Sequence, residues 1–293
     1  MKIIIIGVNG FLGTTVYSKM KPNNIVYGTS RNKSNNNNFG SLNIEDKDTL
    51  FNICKEFNPD IIINCSAITD VTKCEIDKEL AYSVHVKGVE NLIHYCSENN
   101  AKLIHFSSDY VFDGTKNPYS ELSKPSPINY YGTTKNKADK FISDELSNYL
   151  ILRTSILYGF NDSLKTDYVG EVLTQLKVFS EITADNVRIK YPVFIDNLSD
   201  IINQLINKNK IGLYNIATDI GYTRYEWAKL IANIFELDGN IKVTEEISYN
   251  SNKPKNVILE TKKIVNEGVT ITDLVKGLKL IRKKTERINK WSL

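Results

Sequence analysis

Residues 2–13 read Lys-Ile-Ile-Ile-Ile-Gly-Val-Asn-Gly-Phe-Leu-Gly, and this stretch decides the fold. Its apolar run is typical of a strand buried on both faces of a parallel sheet. Three glycines follow in the spacing G-x-x-G-x-x-G, and a helical pattern continues to about Met20. Glycines at such a junction allow a tight turn, close approach of the backbone to a diphosphate and close helix packing. We therefore predict a dinucleotide site formed by Gly7, Gly10, Phe11, Leu12 and Gly13.

The alternation of strand and helix continues to about residue 155. Predicted strands at 25–30, 61–65, 102–106 and 150–154 are separated by helical patterns, which indicates a Rossmann-type, doubly wound parallel α/β sheet. Beyond residue 159 the pattern loosens, which favours a smaller C-terminal substrate-binding domain. The predicted division is an NAD(P)-binding domain over residues 1–157 and a mainly substrate-binding domain over 158–293, with segments near 193–217 returning to the first.

Composition narrows the classes of partner. The chain has 293 residues, of which 41% are hydrophobic and 24% are charged, and its net charge is +3. This balance favours a large core and no nucleic-acid partner, and the basic residues 282–287 are interpreted as a solvated helix face. No apolar run approaches the ~20 residues of a membrane span. Four cysteines without ligand spacing or a signal peptide predict reduced thiols, no metal site and a cytoplasmic location.

The end of the second predicted strand bears on the choice of cofactor. A carboxylate there would bind the ribose 2′-hydroxyl of NAD, but Ser30 and Arg31 follow, and then Lys33. A basic residue at this point accommodates a 2′-phosphate, so we predict NADPH, with NADH left open. The alternative is that Arg31 and Lys33 are solvated cations of a loop.

Small and polar residues follow two further predicted strands. Cys65, Ser66 and Ala67 end one strand, and Ser107-Ser108 follows the next. Open α/β sheets bind ligands at this edge, where small side chains let a ligand lie close to the backbone. A serine there can hydrogen-bond a substrate carbonyl, although a Ser-Ser dipeptide is also typical of an ordinary turn.

Tyr131 and Lys135 lie four residues apart in a predicted helix over 129–146, so their side chains share one face. A phenol has an ordinary pKa of about 10 and is a weak acid at neutral pH. A neighbouring ammonium lowers that pKa and makes the phenol a usable proton donor. This pair suits protonation of a carbonyl oxygen during hydride transfer. The same spacing is also common on helix surfaces.

Together these segments resemble the extended short-chain dehydrogenase/reductases, and among them the dTDP-4-dehydrorhamnose reductase branch. Residues 7–13, 64–67, 107–114, 131–135, 152–155 and 212–217 carry the resemblance. It implies that Ser108 holds the substrate carbonyl, that Tyr131 donates the proton, and that Lys135 lowers the pKa of Tyr131 and binds the nicotinamide ribose. The implied substrate is a nucleotide-linked 4-keto-6-deoxy sugar, reduced at C4. Members of the family often dimerise, so a homodimer is also expected.

The resemblance implies further contacts on each side of the cleft. On the cofactor side they are Ser30, Arg31, Asn43, Ile44, Cys65, Ser66 and Ala67. On the substrate side they are Ser108, Asp109, Tyr110, Val111, Ile156 and Arg188. The chain departs from the branch in several places. Ile156 replaces a tryptophan, Asn43 an aspartate and His85 an asparagine, and residues 188–193 replace a Pro-Thr segment. The catalytic set is intact, so these changes affect the predicted sugar more than the predicted reaction.

Two other functions share this pattern. One is a nucleotide-binding regulatory subunit that resembles the methionine adenosyltransferase regulatory subunit. The other is an epimerase or dehydratase of the same superfamily. Dehydratases generally need an added carboxylate pair near the tyrosine, whereas Ser108 is followed by Asp109, as in reductases. The three histidines, His85, His94 and His105, are interpreted as packing residues.

Overall fold

The computed structural model describes residues 1–31, 39–160, 167–244 and 252–287. Its strands are β1 (Lys2–Ile6), β2 (Ile25–Ser30), β3 (Phe39–Ser41), β4 (Ile61–Asn64), β5 (Lys102–Ser108), β6 (Tyr149–Thr154), β7 (Leu157–Tyr158), β8 (Glu181–Asp185), β9 (Val193–Phe194), β10 (Gly212–Ile216) and β11 (Asn240–Thr244). Its helices are α1 (Phe11–Met20), α2 (Lys47–Phe57), α3 (Val71–Ile76), α4 (Lys78–Tyr82), α5 (Gly88–Asn99), α6 (Tyr130–Glu145), α7 (Tyr168–Phe179), α8 (Ile195–Asn207), α9 (Arg224–Phe235), α10 (Lys262–Asn266) and α11 (Leu274–Arg287).

Within the described ranges, seven parallel strands form one sheet in the order β10-β6-β5-β4-β1-β2-β3. The isoleucines of β1 are almost completely buried, as expected for a strand covered on both faces. The strand order reverses between β1 and β4. Ligands of open α/β sheets bind at the carboxyl ends of the strands beside such a reversal. The order confirms the predicted doubly wound sheet and places the predicted ligand edge above β1, β4 and β5.

Each face of the sheet has its own core. Residues of α1 and α8 pack on one face, and residues of α2, α5 and α6 pack on the other. A third core joins α7, α9 and α11 around Trp227, whose side chain is completely buried. Tyr158 at the end of β7 packs edge-on against Trp227, with ring centroids 5.7 Å apart. This third core supports the segments that face the carboxyl edge of the large sheet.

The helical pattern of residues 75–98, between the predicted strands at 61–65 and 102–106, predicts one continuous helix, and that prediction is wrong. Asp77 accepts a hydrogen bond from the backbone N–H of Leu80 at 2.9 Å and begins α4, while Asp70 begins α3 in the same way. A π-helical turn at Ser83–Lys87 then separates α4 from α5. Aspartates favour helix starts because their carboxylates satisfy free N–H groups, so Asp77 divides the segment and starts a new helix. The π-helical turn carries His85 towards the ligand edge.

Two absences hold for the part of the chain that the structure describes. It contains no helix long and apolar enough to cross a membrane. It also contains no group of three or more His, Cys, Asp or Glu side chains arranged to hold a metal ion.

Candidate active site

The glycine loop between β1 and α1 is held in a tight turn. Gly7 has a φ of +80°, and the N–H groups of Gly7 and Val8 donate to Thr29 O at 2.8 and 3.0 Å. A Cβ on Gly13 would overlap the Gly7 carbonyl, so α1 packs closely on the loop. Gly10 supplies no side chain to cap α1. The first-turn residues Phe11 and Leu12 therefore present a helix N-terminus suited to a diphosphate.

Two neighbouring strand ends meet this loop. A Cβ on Gly7 would lie only 2.9 Å from Ser66 N, which places the loop directly against Cys65 and Ser66. On its other side, Asn9 Nδ2 donates to Ser30 Oγ at 2.9 Å. A Cβ at Gly7, Gly10 or Gly13 would meet backbone atoms of the protein, so these glycines let the loop close tightly beneath the N-terminus of α1. That arrangement fits the diphosphate of a dinucleotide cofactor.

The remaining predicted cofactor residues lie near the carboxyl ends of β2, β3 and β4, and they differ in exposure. Arg31 is exposed directly after β2, and Lys33 lies outside the described residues. Asn43 is also exposed, and its amide donates to Glu45 Oε2 at 2.8 Å. Ile44 is buried, and its side chain packs against Gly88 at the start of α5. Ala67 is partly buried beside Ser66.

Helix α6 brings Tyr131 to Ser108. Asn129 Oδ1 accepts a hydrogen bond from Gly132 N at 2.8 Å and caps the helix. Gly132 packs against the Tyr110 carbonyl so closely that a Cβ there would overlap it. In this position the Tyr131 hydroxyl lies near Ser108, which acts to lower the pKa of the phenol. The Tyr131 ring also packs edge-on against the rings of Tyr110 and His85.

The Asp109 carboxylate fastens two strand ends together. One oxygen accepts a hydrogen bond from Ser108 Oγ at 3.1 Å, and the other accepts one from Ser155 Oγ at 2.8 Å. Because both carboxylate oxygens of Asp109 have protein partners, Asp109 acts on the site by orienting Ser108. Val111 is completely buried in a small core with Phe112, which does not support the predicted contact between its side chain and a substrate.

Lys135 contacts a buried histidine, and its predicted effect on Tyr131 stays a prediction. Burial raises the pKa of the Tyr131 phenol above its ordinary value, and the charge of Asp109 adds to that rise, although the nearby Ser108 side chain opposes it. Lys135 Nζ lies 2.9 Å from Nε2 of the buried His105. The i, i+4 spacing fixed the shared helix face, but the approach of β5 to that face decides which group Lys135 contacts.

A cluster of cations from the C-terminal part of the chain lies near Tyr110. Lys190 is buried, and its Nζ lies 4.3 Å from the centroid of the Tyr110 ring. Within the described ranges this ammonium has no hydrogen-bond acceptor. Burial lowers the pKa of Lys190, as do the charges of Arg188 and Arg224, although Asp109 opposes this shift. A buried ammonium without an acceptor is costly, so the cluster is suited to binding an anion.

Its other members approach Lys190 from three segments. Arg188 pairs with Asp185 at 3.3 Å, and the Arg224 guanidinium lies 3.9 Å from the centroid of the Tyr168 ring. Lys253 interacts electrostatically with Arg188, Lys190 and Arg224, and burial lowers its pKa. The predicted residue Ile156 is partly buried against the third core, and its carbonyl accepts a hydrogen bond from Val193 N at 2.8 Å.

Two histidines that the sequence indicated as packing residues lie against α6. His85 Nε2 accepts from Ile68 N at 2.9 Å, and its Nδ1 lies 2.8 Å from Thr134 Oγ1. His105 joins Asn64 and Lys135. The register of the parallel strands pairs Asn64 with His105, and this pairing is the signal that could have indicated their contact.

A family comparison defines the class of this protein. The family model described as the RmlD substrate binding domain matches residues 1–286. The chain belongs to this family. The assignment confirms the resemblance predicted from the glycine loop, the Ser108 segment and the Tyr131/Lys135 pair.

Several known proteins resemble the chain along most of its length. The dTDP-4-dehydrorhamnose reductase from Bacillus anthracis, solved in complex with NADP, is 27% identical with a TM-score of 0.89, over 97% of this chain and 99% of that chain. A dTDP-4-dehydrorhamnose reductase from Aggregatibacter actinomycetemcomitans is 28% identical, over 85% of this chain and 89% of its own length. Methionine adenosyltransferase 2 subunit beta from Xenopus laevis is 30% identical, over 92% of this chain and 83% of its own length.

Proposed function

We propose that this RmlD-family protein is an NADPH-dependent reductase of the C4 keto group of a nucleotide-activated 4-keto-6-deoxy sugar. The observation that carries this proposal is the proximity of the Ser108 and Tyr131 side chains, with Lys135 one helical turn further along α6. A reductase needs a proton donor at the point where a carbonyl oxygen gains negative charge. The similarity to reductases over most of the chain supports the same reaction.

Each residue of the site has a separate role in the proposed reaction. The loop of Gly7, Gly10 and Gly13 would hold the diphosphate of NADPH, which supplies the hydride when bound. Ser108 would redirect its hydroxyl hydrogen from Asp109 to the substrate carbonyl and so orient it. Because burial raises the pKa of Tyr131, its phenol keeps its proton through the neutral pH range and gives it up only to a strongly basic oxygen. Lys135 lies one turn along α6 and binds the nicotinamide ribose.

The cation cluster supports an anionic substrate. Its charges converge on Tyr110, next to Ser108, so a substrate that reaches both must carry an anion and a carbonyl in one molecule. The diphosphate of a nucleotide sugar has this chemistry. Arginine and lysine are the residues that bind such groups most strongly.

Replacing Lys190 with Met tests the role of the cluster. Loss of a charge-assisted hydrogen bond is worth about 1.5–3 kcal/mol, so we expect kcat/KM for the sugar nucleotide to fall about 10- to 100-fold, mainly through KM. Steady-state oxidation of NADPH measures this effect. The matched control is Lys229→Met on the exposed side of α9, which should change kcat/KM less than twofold. Equal effects of the two substitutions would contradict a substrate role for Lys190.

The cofactor preference has its own test at Arg31. Replacing Arg31 with Gln removes a cation directly after β2, where a 2′-phosphate would lie. We expect KM for NADPH to rise about fivefold while KM for NADH is unchanged, because an exposed charge contact contributes about 1 kcal/mol. NADH serves as the internal control. A parallel loss for both cofactors would remove Arg31 from this role.

The reaction itself is tested with a panel of keto-sugar nucleotides that differ in base and sugar. We expect NADPH absorbance to fall with at least one dTDP-, UDP-, GDP- or CDP-linked 4-keto-6-deoxy sugar. No oxidation with any member would overturn the reductase proposal. A homodimer and a cytoplasmic location stay predictions that this assay does not address.

A regulatory subunit is the second candidate. It is supported by the similarity to methionine adenosyltransferase 2 subunit beta over most of the chain. Affinity purification would then yield a stoichiometric partner protein, and the keto-sugar panel would give no NADPH oxidation. The intact set of Ser108, Tyr131 and Lys135 favours the reductase.

A further inference from the structure

The orientation of the Asn64 amide is fixed by Ser66. Asn64 is buried at the end of β4, and its Oδ1 accepts hydrogen bonds from Ser66 N at 3.1 Å and Ser66 Oγ at 2.6 Å. A backbone N–H is only a donor, so the oxygen of the amide has to face Ser66. The Asn64 amide nitrogen therefore points the other way, towards His105 Nδ1 at 3.3 Å.

This contact decides which nitrogen of His105 carries the hydrogen. Burial, followed by the charge of Lys135, holds the pKa of His105 well below its ordinary value, so the ring is neutral. Its Nδ1 accepts from Asn64, and a neutral imidazole carries its single hydrogen on the other nitrogen. The Nε2–H group then faces Lys135 Nζ at 2.9 Å. An ammonium cannot accept this hydrogen bond, whereas an uncharged amine can.

The surroundings of Lys135 both raise and lower its pKa. Asp139, one turn along α6, favours the ammonium, but Asp139 is itself engaged by Arg153 at 3.3 Å and by Ser107 at 2.5 Å. His85, on the π-helical turn, is neutral because burial and Lys135 lower its pKa to about 3. Burial of Lys135 outweighs Asp139 and lowers the pKa of Lys135 to about 8.

We propose that Asn64 and His105 are positioning residues that direct a hydrogen-bond donor at Lys135 and so favour its uncharged amine. Lys135 then exchanges its proton close to neutral pH, where an ordinary lysine does not. The hydrogen-bond order Ser66, Asn64, His105, Lys135 is a property of the chain. Only its consequence for catalysis rests on the proposed function.

Nitrogen NMR of the histidine rings tests the hydrogen-bond order without any substrate. The chain has three histidines, and protonated and bare ring nitrogens of ¹⁵N-labelled histidine resonate far apart. At pH 9 we expect hydrogen on Nε2 of His105. His85 is an internal control with the opposite tautomer, because its Nε2 accepts from Ile68 N. Hydrogen on Nδ1 of His105 at pH 9 would overturn the proposal. The His105→Gln variant assigns its signals.

NADPH affinity provides a second readout that a merely structural role would not move. The ammonium of Lys135 is the form that donates to a ribose hydroxyl, so we expect Kd to rise up to tenfold per pH unit above about pH 8. In Asn64→Asp, the new carboxylate accepts a hydrogen bond from Nδ1–H of His105. The ring then has a bare Nε2, which accepts a hydrogen bond from Lys135 and favours its ammonium form. In that variant the rise in Kd should begin at least one pH unit higher.

Asn64→Leu is the uncharged control and should give a smaller alkaline displacement. An equal loss of affinity at every pH in both variants would show a structural role and overturn the proposal. The wild-type pH profile decides the matter by itself if either variant fails to fold, because a flat profile between pH 7 and 9.5 would exclude a proton exchange at Lys135. NADPH binding without keto-sugar reduction would leave this inference intact and reject the proposed reductase.

Discussion

Replacing Tyr131 with Phe is expected to lower kcat for keto-sugar reduction by about 10²- to 10⁴-fold, the usual contribution of a positioned general acid. The substitution removes only the phenolic oxygen, so the ring still packs against Tyr110 and His85. NADPH affinity should therefore change little. Single-turnover kinetics with saturating NADPH measures the chemical step, and fluorescence titration measures cofactor binding.

Tyr130→Phe is the matched control, because Tyr130 is the adjacent residue on α6 and its ring lies under the Lys78 ammonium instead. It should retain nearly full activity. If the Tyr131 variant reduces the correct substrate at the wild-type rate, Tyr131 is not the acid. A loss of activity together with lost NADPH binding would indicate a disturbed site and would not count as evidence for proton donation.

Gly132→Ala is expected to cost about 10²-fold in kcat/KM without touching any reacting group. Its Cβ would overlap the Tyr110 carbonyl, so α6 has to move away from the turn that follows β5. This movement separates Tyr131 from Ser108, and a misplacement of about 1 Å is sufficient for a loss of this size. Kinetics and thermal unfolding together measure the effect, because the overlap also lowers the free energy of unfolding.

The neighbouring substitution Thr133→Ala is a control that distinguishes the displacement of α6 from the general effect of an added alanine on helix stability. Thr133 is exposed on the same helix, so its removal should leave both kcat/KM and the unfolding temperature nearly unchanged. NADPH binding to Gly132→Ala should persist, since the glycine loop belongs to a different part of the sheet. Wild-type kinetics in Gly132→Ala would show that the close contact of α6 is not needed for alignment.

The sequence allowed the parts of the site that are local in the chain to be predicted. An apolar run, a glycine loop and a helix at residues 2–20 require no knowledge of distant contacts. The same holds for Tyr131 and Lys135, whose shared face follows from helix geometry alone. Parallel pairing then brings the ends of β4 and β5 to one edge, as predicted.

The unpredicted parts depend on contacts between distant residues. Lys190 is one of 37 lysines and arginines, and only its burial over Tyr110 distinguishes it from a surface cation. His105 lies in a strand like a core residue until Asn64 and Lys135 flank it. The raised pKa of Tyr131 likewise follows from burial, which the spacing of two residues does not determine.

The bridge made by Asp109 has a consequence for the length of the substrate. Ser155 Oγ donates to Asp109, and it also accepts a hydrogen bond from Tyr191 N at 3.5 Å, next to Lys190. Ser108, the proposed carbonyl-binding group, and the segment of Lys190, the proposed anion-binding group, are therefore linked through one carboxylate at a fixed distance. A free keto sugar would reach only one end of that span. Under the proposed function, the site would therefore select substrates by the distance between their carbonyl and their anionic group as well as by the chemistry of each group.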